Sequence, residues 1–146
     1  MIAGSVVQNV VSFDGDERFL SNFYPSPVEL GGVTYPTVEN AYQAAKTASQ
    51  NRGPFVSCSP GEAKKLGRTV ELVSNWDEIK ERVMEKLLYR KFYDNPELGR
   101  KLDATGDMYL MEGNTWGDTY WGMCDGVGKN RLGALLMYVR GQLRQL

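Results

Sequence analysis

In the stretch Thr37–Lys46, TVENAYQAAK, a carboxylate, an amide, a phenol and an amine recur at helical spacing. Glu39, Gln43 and Lys46 fall at i, i+4 and i+7. In a helix they share one face over roughly 10 Å, at ~1.5 Å rise per residue. Tyr42 joins the edge of that strip, and Ala41, Ala44, Ala45 and Ala48 let the other side pack tightly. Glu39 lies in the first turn, where the helix dipole favours its anionic form. Such a strip can bind a polar ligand and move a proton. It can equally be a solvated face with ordinary i,i+4 contacts.

The chain has no histidine. That excludes Ser-His-Asp and Cys-His nucleophile pairs, HExxH zinc sites and imidazole proton shuttles. Acid–base work must rest on Asp, Glu, Lys, Tyr, Cys or water. A second reactive segment is Gly113–Gly128, GNTWGDTYWGMCDGVG, with Trp116, Asp118, Tyr120, Trp121, Asp125 and five glycines. Glycine lets backbone approach a ligand closely, and an aromatic ring can stack on a base. The same residues also suit an aromatic-packed structural loop. Glu112 precedes the segment as a ligand or a strand-end charge. No strand–GxGxxG–helix frame surrounds these glycines, so they are not a dinucleotide fingerprint. In Arg18–Pro25, RFLSNFYP, Leu20 and Phe23 suit a core. Ser21 and Asn22 suit hydrogen bonds to a turn or a ligand. Trp76 stands at a helix start, where core and interface roles are both open.

The elements that must position these groups follow from periodicity and punctuation. Val10–Phe13 is a short β-like run. Val28–Tyr35, with Gly31-Gly32 at its centre, predicts a hairpin. Thr37 is an N-cap for a helix from Val38 to about Ser49. Asn51–Ser59 is a loop. Ser59-Pro60 opens a short helix to about Leu66, closed by Gly67. Thr69–Val73 is a candidate strand. Asn75 or Ser74 caps a long helix from Trp76 to about Tyr93, with Ile79, Val83, Met84, Leu87, Leu88 and Phe92 on its core face. Asn95-Pro96 opens another short helix that ends before Gly106. Met108–Met111 is a candidate strand, and Asn114–Lys129 a loop. A final helix runs from Asn130 to about Gln145 and buries Leu132, Leu135, Leu136, Val139 and Leu143. The sum is an α+β fold, predominantly helical, with a few short strands, in a single domain over 1–146 with its core at about 10–145.

Composition sets the remaining bounds. Hydrophobic residues make up 42% and charged residues 24%, which argues against disorder. Seventeen basic residues against 18 acidic give a net charge of −1. That is no footprint for generic nucleic-acid binding, although a local basic pocket for a small phosphorylated ligand stays open. Cys58 and Cys124 form no CxxC pair and read as reduced thiols. No apolar run approaches a membrane span, and the start MIAGSVVQNVVSF makes a poor signal peptide. The expectation is a cytoplasmic protein, with oligomeric state unreadable.

Taken together, several segments resemble the YbiA-like family, also called NADAR for its link to NAD and ADP-ribose metabolism. They are FLSNFYPSPVELGGVTYPTVENAYQAAK, AKKLGR, a Trp followed by KERVMEKLLYRKFYDNPEL, LDATG, LMEGNTWGDTYWG and GKNRLGALLMYVR. The resemblance spans roughly Phe13 to Arg140. One position departs: the family often has His after the helix glutamate, where this chain has Asn40, which keeps a hydrogen-bonding side chain.

The resemblance implies an N-glycosidase that cuts between ribose C1′ and an exocyclic amine, with no cofactor and no metal. One branch acts on ribosylaminopyrimidine phosphates of riboflavin synthesis. Another removes ADP-ribose from guanine in nucleic acid. Either substrate is a phosphorylated ribosyl-amine or ADP-ribosyl compound, with no membrane involved. Glu39 would act as acid or base, and Asp118 would stabilise a cationic C1′ or orient water. Lys46 would bind phosphate or form a Schiff base with opened ribose. Trp76 and Trp121 would sandwich the base, while Asn22, Gln43 and Asn130 hold ribose or base edges. Phe23, Tyr42, Glu112, Trp116 and Gly122 complete the expected binding set. Arg18, Arg52, Lys64, Arg68 and Lys129 are the phosphate candidates. The competing readings are a non-catalytic NAD or ADP-ribose sensor, including a counter-defence role, and an interaction protein using exposed aromatics.

Overall fold

A computed structural model describes residues 9–146. Residues 1–8, where most of the signal-peptide reading falls, lie outside that range. Among the described residues the fold is helical with small sheets: α1 (Val38–Ala45), α2 (Pro60–Gly67), α3 (Trp76–Asp94), α4 (Pro96–Ala104) and α5 (Arg131–Arg144), with β1 (Val28–Leu30), β2 (Val33–Tyr35), β3 (Gly113–Asn114) and β4 (Met123–Cys124). The α+β, mainly helical reading holds.

The hairpin forms where Gly31 and Gly32 both adopt positive φ, 59° and 82°. Positive φ at both central residues gives a two-residue loop whose twist matches right-twisted strands. β1 and β2 pair antiparallel, Val28 with Tyr35 and Leu30 with Val33. The chain then enters α1 through Thr37, whose hydroxyl accepts from the Asn40 N–H at 3.0 Å. The Asn22 carbonyl takes the Glu39 N–H at 3.0 Å, so a second orphan donor of this helix end is satisfied from outside. Every residue from Val38 to Ala45 is buried. The solvated-face reading of this helix is therefore wrong. α1 lies in the centre, packed against α2, α3 and the hairpin.

The helix also ends earlier than its alanines suggest, with Lys46 as its C-cap rather than Ser49 near its end. The Lys46 carbonyl accepts from Val73 N–H at 2.8 Å, so it cannot continue the ladder. That bond also explains the missing strand at Thr69–Val73. The segment has no strand partner among the described residues, and Thr69 closes a turn on the Leu66 carbonyl. Val10–Phe13 and Met108–Met111 reduce to one parallel bridge, Val10 to Leu110.

α2 opens with a full capping box between Ser59 and Glu62. α3 buries Met84, Leu87, Leu88 and Phe92, with Ile79 and Val83 partly covered, and buries Lys91 among them. α5 buries Leu132, Leu135, Leu136 and Val139, with Leu143 at the margin. Its first turn is capped unusually. Arg131 and Leu132 N–H donate to the Tyr120 and Trp121 carbonyls at 3.1 and 2.9 Å. The loop before α5 is thus folded back onto the helix, and its ends pair as the parallel β3–β4.

Candidate active site

α1, α2, the turn at Ser21–Tyr24 and the Glu112–Trp121 loop enclose a cleft of about 790 Å³. Glu39, Tyr42, Gln43 and Lys46 line it from α1. Glu39 is buried and accepts one hydrogen bond, from Gln43 Nε2 at 2.6 Å. Burial pushes its carboxyl above the usual range, against the pull of Gln43, Lys64 and Lys46. Gln43 is held in place because α2 ends on Gly67 beside it. A Cβ there would lie 1.8 Å from Gln43 Oε1. Lys46, at the end of the strip, has its amine lowered by burial, with the Glu39 charge opposing and Arg68, Lys64 and Lys80 reinforcing the shift. Burial likewise pushes the Tyr42 phenol well up, so it is a neutral donor at ordinary pH.

Opposite α1 the loop supplies two further carboxylates. Glu112 is pushed up to about 7, mainly by burial, with Asp118 and Glu39 adding to the rise. Asn114 Nδ2 donates to its Oε2 at 3.1 Å. Gly122 makes the room: a Cβ there would stand 1.8 Å from Glu112 Oε2. Asp118 Oδ1 accepts from the Tyr120 and Trp121 N–H groups at 3.1 and 2.9 Å. Those bonds fix the loop and aim the Asp118 carboxyl at the cleft it lines. Trp121 lines the cleft, while Trp116 stands 61% exposed at the lip with the Lys64 amine 5.3 Å from its ring centre.

The remaining walls carry charge and apolar surface. Asn22, Phe23 and Arg18 line one end; Lys64 and Arg68 line the α2 side. Lys65, Met84, Phe13 and Leu132 join them without having been singled out in the sequence. Lys65 was signalled by its neighbours, being one residue after Lys64 and three before Arg68. Met84 and Leu132 could not be told from core residues, since a cleft floor and a core face share one periodicity. The cationic rim exists despite a net charge of −1. Asn22 Oδ1 and Gln43 Oε1 are buried acceptors with no partner among the described residues.

Five expected site residues do not line the cleft. Trp76 is withdrawn into the core, its ring 5.2 Å from that of Tyr42, whose other aromatic neighbour is Trp121 at 5.5 Å. Trp76 therefore packs behind Tyr42, and the aromatic rings that face the cleft are Tyr42, Trp116 and Trp121 with Phe13 and Phe23. Arg52 donates to the Thr47 carbonyl at 3.0 Å and ties down the segment after α1. Lys129 lies exposed over the Tyr120 ring at 5.5 Å. Asn130 is buried; its amide accepts from Glu112 N–H at 2.9 Å and donates to the Leu110 carbonyl at 2.9 Å. It adopts φ 49°, which Asn tolerates better than most residues. Asn130 and Gly122 thus contact Glu112 from behind the cleft wall. Asn40 is wholly buried, donating to the Phe55 and Cys58 carbonyls at 3.0 and 2.8 Å, and so braces the segment after α1 outside the cleft.

The NADAR domain model matches residues 12–144. N-glycosidase YbiA of Escherichia coli is 40% identical over 140 residues, covering 92% of this chain and 87% of that protein. An N-glycosidase of Nostoc punctiforme is 34% identical over 134 residues, 86% of this chain and 85% of its own. A riboflavin biosynthesis protein of Vibrio vulnificus is 34% identical over 145 residues, 94% of this chain but 39% of its own. The NMR structure of Escherichia coli YbiA superposes with a TM-score of 0.83 at 38% identity, covering 96% of this chain and 88% of that one. By fold, by sequence and by the shared domain model, this chain belongs to the NADAR domain family.

Proposed function

We propose that this N-glycosidase hydrolyses the bond between ribose C1′ and the exocyclic amine of a ribosylaminopyrimidine phosphate. The observation that carries the reading is Glu39, Glu112 and Asp118 sharing one cleft with Lys46 beneath a cationic rim, with a fourth carboxylate, Asp14, also on its lining. The Vibrio relative's name points to the riboflavin branch of such substrates.

Cleavage needs a proton on the departing amine, stabilisation of positive charge at C1′, and a nucleophile. Glu112, held near neutrality, keeps a proton to give to the leaving nitrogen. Asp118 stays beside C1′ to offset its developing charge. Glu39, steered by Gln43, takes the proton from attacking water. Lys46 has a second route open. Its unprotonated amine attacks the C1′ imine of the opened sugar, the aminopyrimidine leaves with the Glu112 proton, and water hydrolyses the resulting Lys–C1′ Schiff base. Lys64, Lys65, Arg68 and Arg18 meet the phosphate.

A second reading has ADP-ribose on guanine as substrate. The exposed Trp116 with Lys64 at the lip favours it, because a longer ligand would need a stacking surface at the mouth of the cleft. The test is a paired turnover assay with a ribosylaminopyrimidine phosphate and an oligonucleotide carrying ADP-ribose on guanine, products read by mass spectrometry. Turnover of the first alone is expected. Turnover of the second alone moves the assignment to the nucleic-acid substrate. If neither is cut while NAD or ADP-ribose binds, the protein is a sensor. Borohydride trapping of a ribosyl adduct on Lys46 separates its two roles.

A further inference from the structure

Lys91 is wholly buried in the last turn of α3, and no carboxylate bonds to it among the described residues. An unpaired ammonium in such a place is expensive, and burial alone brings its amine down to about 7. A methionine of similar length would fill the space without that penalty. Among the described residues its one hydrogen bond goes to the Ser21 carbonyl oxygen, at 2.9 Å, while the Phe92 ring centre lies 5.1 Å away. That oxygen also accepts from Tyr24 N–H at 3.1 Å, which closes the tight turn Ser21–Tyr24. The two residues inside the turn are Asn22 and Phe23, both lining the cleft. The Asn22 carbonyl in turn receives the Glu39 N–H at 3.0 Å. Tyr24, next along, has the Lys91 amine 5.7 Å from its ring centre and the Arg18 guanidinium 6.0 Å from it. The amine thus grips the closing bond of the turn that forms one wall of the cleft and abuts the start of α1.

We propose that Lys91 is a positioning residue, holding the Ser21–Tyr24 turn so that Asn22 and Phe23 face the ligand and the Asn22 carbonyl stays seated on the N-terminus of α1. The turnover part of its test rests on the glycosidase reading; the exchange part does not. Amide hydrogen exchange of Glu39 and Tyr24 reads the turn directly, because each N–H is bonded to a carbonyl of that turn. In Lys91→Met the protection of these two amides should fall at least tenfold while amides within α3 and α5 keep theirs, and Tm at pH 6.5 should not drop. On the ribosylaminopyrimidine phosphate, kcat should fall about tenfold to a hundredfold, the scale of a misplaced wall. Lys91→Arg, which restores a donor on a long stem, should recover part of both. Full protection at Glu39 and Tyr24 in Lys91→Met overturns the assignment. So does a fall in Tm with protection lost evenly across the helices, which marks a residue that only stabilises the fold. If Lys91→Met does not fold, Lys91→Gln, neutral and one bond too short for the Ser21 carbonyl, carries the same readouts. A wild-type protein that turns over neither substrate defeats the glycosidase reading and leaves the exchange result to decide on Lys91.

Discussion

Glu39 and Glu81 are both helical glutamates, and they live in opposite electrostatic worlds. Glu81, on α3, accepts from the Tyr120 hydroxyl and pairs with Arg131 at 2.7 Å. The Tyr120 hydrogen bond, helped by Arg131, holds its carboxyl below the usual range. Glu39 has one amide donor, no ion pair among the described residues, and a raised carboxyl. Glu112 shares that condition. Around Glu81 each charge is answered, so the cluster pins the aromatic loop to α3 and α5. In the cleft, charges of both signs face an open volume and are left incompletely paired. Shifted, incompletely paired carboxyls in an open cleft are the arrangement that acid–base chemistry uses.

The largest contrast should come from one substitution in each region. Glu39→Gln keeps shape and the α1 packing but removes the base. Its kcat/KM should fall about 10²-fold to 10⁴-fold with Tm almost unchanged. Glu81→Gln should leave turnover within about threefold and lose roughly 1 kcal/mol of stability in denaturant unfolding, since the pair is partly exposed. Equal activity losses in the two variants would erase the distinction between the clusters.

Next is the pH profile. If Glu112 gives up its proton in the reaction, the active form is the protonated one. Turnover should then fall as pH rises through about 7, by up to tenfold per unit well above it. Glu112→Gln should be slow and should lose that limb. A profile whose alkaline limb survives in Glu112→Gln assigns the proton to another group.

Gly122→Ala tests the same carboxylate from behind. The added methyl would press on Glu112 Oε2, on the Glu112 carbonyl at 2.2 Å and on Asn114 Nδ2 at 2.6 Å. Overpacking of this kind costs about 1–3 kcal/mol. Denaturant midpoint and the Glu112 pH limb should shift together; a normal limb in a destabilised variant would show that Gly122 shapes the fold without setting the acid.

These sites differ in how far they could be read from residue types. The Glu39–Gln43–Lys46 strip was legible because helical spacing alone puts it on one face. Whether that face met water or a cleft was not, since only packing by α2 and the loop decides it. Trp76 shows the same limit: a tryptophan at a helix start suits a core or a site equally, and its partner Tyr42 settles the matter. The hairpin and capped helices were legible from local chemistry, two glycines, Thr37 and the Ser59–Glu62 pair. The strand at Thr69–Val73 was not, because a strand exists only through a partner, and here the backbone bonds go to the end of α2, the start of α3 and the Lys46 carbonyl. Lys91 was invisible as a buried amine, since lysine on a charged helix reads as solvated.

Lys91 also gives a pH signature unlike that of the cleft acids. Its folded pKa of about 7 lies below the unfolded lysine value. Between those values the unfolded chain holds the extra proton, so stability rises with pH there, and the penalty is fully present below pH 7. Relative to Lys91→Met, the wild type should gain stability from pH 7 upward with a slope of up to about 1.4 kcal/mol per pH unit. Parallel stability curves for the two proteins would mean that the amine keeps an ordinary pKa when folded.

The smallest effects should come from one cation–aromatic pair in each region. Lys64 sits 5.3 Å from the Trp116 ring centre at the lip, and Lys80 sits 4.2 Å from that of Tyr120 beside Glu81. Exposed pairs of this kind are worth about 0.5–1 kcal/mol. Trp116→Ala should therefore cost at most about 1 kcal/mol of stability and leave kcat alone, since the side chain is 61% exposed. It should raise KM only if the ligand extends to the lip: severalfold for an ADP-ribosyl substrate, and hardly at all for a ribosylaminopyrimidine phosphate contained within the cleft. Lys80→Ala should do the reverse, leaving KM within about twofold while lowering the unfolding midpoint by the few tenths of a kcal/mol to 1 kcal/mol expected of such a contact. Because the two pairs are chemically alike, a KM effect confined to Trp116 would come from its position at the cleft. A KM effect in both would mean that the ligand runs on past the cleft to Tyr120.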